Sequence, residues 1–175
     1  MKHPRQLLKE AGLFANRKLG QNFLFKPDIV NTIVEKAKIL QDAHVLEIGP
    51  GLGTLTVEIA KKAGHVTVIE KDIRLIPLLK KEIQTQEISN IKIIRQDILK
   101  VNIKELAQDS KLLVIGNLPY NISSQILFKL IKERECVEKA ILRLSIYEIL
   151  YSDLDKPIII NEAIELSKRL ASDNA

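Results

Sequence analysis

Asn117-Leu118-Pro119-Tyr120 follows directly on the apolar run Leu112-Leu113-Val114-Ile115-Gly116. An amide, a proline and a phenol at the end of a predicted strand suit a flat ring that carries an NH2 group. Such an amine is a poor nucleophile, because its lone pair is delocalised into the ring. Two acceptors, the Asn117 amide oxygen and a main-chain carbonyl near Leu118, would bind both N–H groups and favour a more tetrahedral nitrogen. Pro119 fixes the turn and brings no competing N–H. Tyr120 can stack on a base taken out of its helix. Alignment with an activated methyl group is then the main requirement, and no strong base is needed. His3, His44 and His65 are scattered along the chain and receive no role. The bland alternative for the tetrapeptide is a plain strand-to-helix turn.

A second constellation lies upstream. Leu46-Glu47-Ile48-Gly49-Pro50-Gly51-Leu52-Gly53 is a glycine turn after a short apolar run. Gly49 and Gly51 permit close approach of a ligand to the backbone. Such a turn also serves nicotinamide and flavin cofactors, so its partner matters. Glu70 closes the next apolar run, where a carboxylate can accept both hydroxyls of a ribose. Asp97 follows a third run and could accept from an adenine amine, although a capping aspartate is the simpler reading of it alone. The turn has no P-loop lysine, which argues against triphosphate chemistry. Together these positions suggest methylation of the amino group of a nucleobase. A small-molecule or protein methyltransferase would share the cofactor half, but the tetrapeptide suits a planar amine better.

The elements that must hold these residues alternate. Predicted strands at 44–48, 65–69, 91–95, 112–116 and near 139–144 are separated by predicted helices at 29–38, 54–63, 72–83, 102–108 and 122–133. Asp28 is expected to cap the first of these helices, and Gly64 to stop the second. Pro77 allows a kink or a late start in the third. A short helix is expected near 4–11. The alternation predicts an α/β fold with a parallel, doubly wound sheet, whose ligands bind at the carboxyl ends of the strands. Glu47, Gly49, Glu70, Asp97 and Asn117 all fall at or just after such ends.

Composition sets outer bounds. A chain of 175 residues can build one core. No apolar run approaches the ~20 residues of a membrane helix, and the N-terminus has no hydrophobic signal segment, so a cytoplasmic protein with no membrane partner is expected. The lone Cys136 excludes an internal disulfide and a multi-cysteine zinc site, and no metal is expected. Residues 1–26 hold Lys2, Arg5, Lys9, Arg17, Lys18 and Lys26 against Glu10, which accounts for the whole net charge of +5. A basic arm before a neutral domain suits a phosphate backbone, and equally a solvated terminus.

Residues about 16–142 resemble the ribosomal RNA adenine N6,N6-dimethyltransferases. The matching stretches are Leu19-Gly20-Gln21-Asn22-Phe23-Leu24, Glu47 to Thr56, Val68-Ile69-Glu70, Gln96-Asp97 and Gly116 to Ser123. Asn121-Ile122-Ser123 is more similar to the housekeeping ribosome-biogenesis branch than to the erythromycin-resistance branch. The resemblance implies a Rossmann-like methyltransferase fold, S-adenosyl-L-methionine as donor, and adenines of small-subunit ribosomal RNA, in the subunit or its precursor, as acceptors. It implies that Asn22 and Leu24 close over the methionine end of the cofactor, with Gly49, Gly51, Glu70, Asp97 and Asn117 completing the cofactor site. Catalysis would fall to Asn117, Leu118, Pro119 and Tyr120.

Beyond Leu142 that pattern does not continue. Ala140 to Tyr151 and Ile160 to Arg169 resemble an interior part of the all-helical transcription antitermination factor NusB. The chain therefore reads as a chimera: a basic arm at 1–20, a cofactor-binding methyltransferase domain at 21–142 with an incomplete sheet of about five strands, and a helical tail at 143–175. The rival reading is an RNA-binding module, impaired in catalysis, built from the arm and the tail.

Overall fold

The computed structural model describes residues 3–16, 19–108, 110–118 and 122–144. The NusB-like tail from residue 145 on, Lys2, Arg17, Lys18, Pro119, Tyr120 and Asn121 lie outside the described residues, while residues 143 and 144 of the expected helical tail are strand. Five apolar runs form β1 (His44–Ile48), β2 (His65–Glu70), β3 (Ile91–Arg95), β4 (Leu112–Leu118) and β5 (Val137–Leu144). All pair in parallel, in the order β3-β2-β1-β4-β5. Near-continuous aliphatic strands of this kind need cover on both faces. One face carries α2 (Pro27–Ala37), α3 (Thr54–Ala60) and α4 (Ile76–Thr85). Val30, Val34, Leu55, Ile59 and Leu79 pack there on Val45, Val66, Val68 and Ile115. The other face carries α5 (Ile103–Ala107) and α6 (Ser123–Lys132), whose Ile103, Ile126 and Leu130 pack on Leu46, Ile69, Val114 and Leu142. A third, smaller cluster joins α1 (Pro4–Glu10) to the glycine turn through Leu8, Leu52, Leu75 and Phe23.

The predicted α/β order is present, with informative differences. The expected start of α2 fails: Pro27 suits a first helical turn, so the helix begins before Asp28, and Asp28 supplies first-turn charge instead of a cap. Gly64 does not stop α3, which ends at Ala60; Asn90 Nδ2 then donates to the carbonyls of Ala60 and Ala63 at 3.0 and 2.8 Å. Pro77 gives the late start, after a 3-10 turn at Ile73–Leu75. β4 runs two residues further than predicted. Asn117 and Leu118 pair with Arg143 and Leu144 of β5, so the ladder continues through what sequence alone reads as a turn. Residues 141–144, which also have helical spacing, are strand. Among the described residues, no helix is long and apolar enough to cross a membrane.

Strand order reverses between β1 and β4. In doubly wound sheets, the crevice at that reversal, outside the carboxyl ends, is where ligands bind.

Candidate functional site

A cavity occupies that crevice. Its walls are residues 19–24, residues 47–52 around the glycine turn, residues 69–71 at the end of β2, residues 96–98, and Asn117 and Leu118 of β4. Asn22, Leu24, Gly49, Gly51, Glu70, Asp97 and Asn117, spread over 96 positions of sequence, thus face one concavity.

The glycine turn sets its floor. Gly51 has φ +58°, and a Cβ there would stand 3.2 Å from the Phe23 ring. Gly53 has φ +88°, and its Cβ would fall 2.8 Å from Leu79 Cδ1. Both positions therefore need glycine for conformation and for space. Gly49 differs: a Cβ would meet nothing within 4 Å, so its backbone borders open space. A ligand edge can lie against it.

Glu70 is buried at the end of β2. Its Oε2 accepts from the Gly51 N–H at 3.1 Å, and its Oε1 from the Asp72 N–H at 2.7 Å. Burial pushes its carboxyl above the ordinary range, and these N–H donors offset only part of that. The Lys71 N–H also bonds to this carboxylate, whose two oxygens offer about four acceptor positions in all.

Asp97 fulfils its capping role. Its Oδ1 accepts from the Leu99 N–H at 3.0 Å, and its Oδ2 pairs with Lys71 Nζ at 2.8 Å. Burial would raise its carboxyl, but Lys71 and the Leu99 N–H outweigh burial and hold it below the usual range. It reaches the cavity as an anion.

Asn117 Nδ2 donates to the Asn22 carbonyl at 2.9 Å. That bond ties the NH2 end of the amide to the loop that carries Asn22 and Leu24. The Leu118 side chain is wholly buried in the core below α6, so any chemistry at Leu118 belongs to its backbone. Pro119 and Tyr120 are outside the described residues.

Sequence reasoning missed three contributors. Gln21, Lys71 and Asp72 surround the strand-end acids, yet nothing local in the sequence marks them. It also gave Glu47 no role beyond its place at a strand end. Glu47 is 1% exposed, and its Oε2 completes no hydrogen bond. Burial pushes its carboxyl up to about 8; the nearby Thr56 hydroxyl opposes this and Glu70 adds to it. The histidines are less scattered than they read. His44 and His65 are register partners on β1 and β2, with ring centroids 4.8 Å apart, at the strand ends far from the cavity.

Known proteins are similar to this chain in sequence and fold. The sequence profile of ribosomal RNA adenine dimethylases matches residues 12–146. The ribosomal RNA small subunit methyltransferase A of Desulforapulum autotrophicum is 46% identical over 142 residues, which are 81% of this chain and 50% of that protein. A dimethyladenosine transferase from Plasmodium falciparum superposes with a TM-score of 0.61 at 34% identity, over 69% of this chain and 42% of that one. The 23S rRNA methyltransferase ErmE gives a TM-score of 0.61 at 31% identity, over 69% of this chain and 47% of its own. The chain spans about half the length of the curated relatives it matches. The sheet has the Rossmann-like methyltransferase architecture, and this chain belongs to the ribosomal RNA adenine dimethylase family.

Proposed function

We propose that the protein methylates N6 of adenines in small-subunit ribosomal RNA or its precursor, in the cytoplasm, with S-adenosyl-L-methionine as donor. One observation carries the reading: the strand-end acids, the glycine turn and Asn117 wall a single cavity at the strand-order reversal. A nucleoside cofactor fits these residues. Gly49 borders open space, Glu70 offers acceptors for ribose hydroxyls, and Asp97 offers a charged acceptor for an adenine amine. Asn22 and Leu24 close the opposite side. Bound there, the cofactor supplies a methyl group on a sulfonium. The Asn117 amide oxygen and the Leu118 carbonyl accept the two N–H groups of the target amine, and the Tyr120 ring stacks on the base while Pro119 fixes the turn. In this reading residues 1–20 are a basic RNA-contacting arm, 21–142 the methyltransferase domain and 143–175 a helical NusB-like tail. The family match over residues 12–146 covers the middle segment and extends into both flanking ones.

The test is transfer of labelled methyl from S-adenosyl-L-methionine to immature small-subunit RNA. Label recovered as N6-methylated adenosine, and lost with Asn117→Ala, is expected. RNA binding with no transfer would instead favour the RNA-binding module.

A further inference from the structure

Residues 19–24 form one wall of the cavity without belonging to any helix or strand of the sheet. Something else must hold them in place. Phe23 rests against Gly51, and the Asn22 carbonyl accepts from Asn117. Leu24 packs on the core cluster of α2 and α3, and the Leu19 and Gln21 N–H groups donate to the Asn16 carbonyl at 3.1 and 3.4 Å. The side-chain tie toward β2 is Gln21. Its Oε1 accepts from the Asn16 N–H at 2.8 Å, and its Nε2 donates to Asp72 Oδ2 at 2.8 Å. Asp72 is a firm post. It is 5% exposed, and Arg74 Nε and Nη2 reach its Oδ1 and Oδ2 at 2.9 and 2.6 Å. The Arg74 guanidinium holds its carboxyl below the usual range. The N–H of the same residue donates to Glu70 Oε1.

These contacts form one chain: Glu70, Asp72, Gln21, Asn22, Asn117. We infer that Gln21 is a positioning residue that latches the 19–24 wall onto the end of β2, setting the spacing between the ribose-binding acid and the target-base acceptor. The inference rests on the reading of the cavity as a nucleoside-cofactor site. In this role Gln21 acts through Asp72 and Asn22. Both of its bonds are polar and partly buried, so its loss releases the wall without emptying the core.

Three variants of the full chain test this. Gln21→Met keeps the length and removes both bonds. Gln21→Glu sets a second carboxylate against Asp72. Gln21→Glu combined with Asp72→Asn restores a donor–acceptor pair. In the ligand-free protein, amide exchange over residues 19–24 should quicken about tenfold in both single variants, and at Asn16 in Gln21→Met, while β1 and β2 amides hold their rates. Dissociation of S-adenosylhomocysteine should also quicken about tenfold, with little change in association. The paired exchange should recover most of both effects. Unchanged local exchange in the single variants overturns the latch. So does a quickening that spreads evenly over the sheet. A native chain that binds no S-adenosylhomocysteine would refute the cofactor reading, and the exchange data would still judge the latch.

Discussion

The two long walls of the cavity are built differently. On the β2 side, Glu70 is fixed by main-chain N–H groups of Gly51 and Asp72, and Asp97 by the Leu99 N–H. The Asp72 and Leu99 donors follow from the local path of the chain, and the Gly51 donor from the glycine turn 19 positions away. On the β4 side, Asn117 is tied by its own side-chain amide to a carbonyl 95 positions away. That tie depends on the fold bringing two distant segments together. A wall set by backbone is suited to hold one cofactor in one pose. A wall anchored through the NH2 end of a side-chain amide aims the amide oxygen, the end that a target amine needs. The two walls should therefore fail in different ways.

Asn117→Ala gives the largest expected effect. If the β4 wall serves the reacting amine, transfer should drop by about 10²–10³-fold, as for removal of one preorganised polar group at a reacting centre. Affinity for S-adenosylhomocysteine should change by no more than about threefold, because one side-chain hydrogen bond is lost. Parallel single-turnover and calorimetric measurements read the two quantities. An equal loss in both would erase the distinction between the walls.

Glu70→Ala is the counterpart on the β2 side. Two backbone N–H groups lose their acceptor, and the ribose loses its own, so cofactor affinity should fall about 100-fold. A thermal melt should show a loss of about 1–3 kcal/mol in stability from the orphaned donors. Cofactor affinity that survives the change would remove the acid from the site, whatever happened to transfer.

The same division decides what could be read from sequence. The β2 wall was legible because backbone-determined sites leave local marks: glycines at fixed offsets, then an acid at each strand end. Glu70 and Asp97 stand at the expected strand ends and line the cavity, and Asp97 caps as its type suggests. The β4 wall was less legible. Pro119 makes Asn117 and Leu118 read as turn, while pairing with β5 keeps both in the strand. Gln21 and Asp72 are 51 positions apart and meet only in the fold. His44 and His65 became neighbours through parallel register, which no local pattern announces. The protonation of Glu47 depends on complete burial, and a glutamate at a strand end does not advertise that.

Glu47 and Glu70 allow a finer version of the comparison, since both are buried acids at adjacent strand ends. Glu70 has backbone donors, whereas Glu47 Oε2 has none. The folded state holds Glu47 near 8 against an ordinary value of 4.5. Below the ordinary value both states are protonated and the contribution to stability is complete. As pH rises toward 8, the unfolded chain ionises and the folded one does not, so stability is lost across that window. Glu47→Gln should flatten the stability–pH curve between about pH 4.5 and 8 and exceed the native chain by up to about 4 kcal/mol at its upper end. Urea titrations across that range would show it, and two parallel curves would mean that Glu47 ionises freely in the fold.

Asp97→Asn gives the smallest expected effect and separates two roles of one side chain. An asparagine oxygen still accepts from the Leu99 N–H, so the 3-10 turn at Ile98–Lys100 keeps its cap. The Lys71 pair is lost, but Lys71 is half exposed, and such pairs contribute less than about 1 kcal/mol. Stability should therefore hardly move. The ligand side is different, because the oxygen facing Lys71 becomes an NH2 group, and a donor would then meet the donor of an adenine amine. Affinity for S-adenosylhomocysteine should fall about tenfold. An inosine analogue, with a ring carbonyl in place of that amine, should recover ground in the variant. If affinity instead tracks stability, with neither moving, Asp97 is a cap that borders the cavity and the cofactor's adenine is read by other groups.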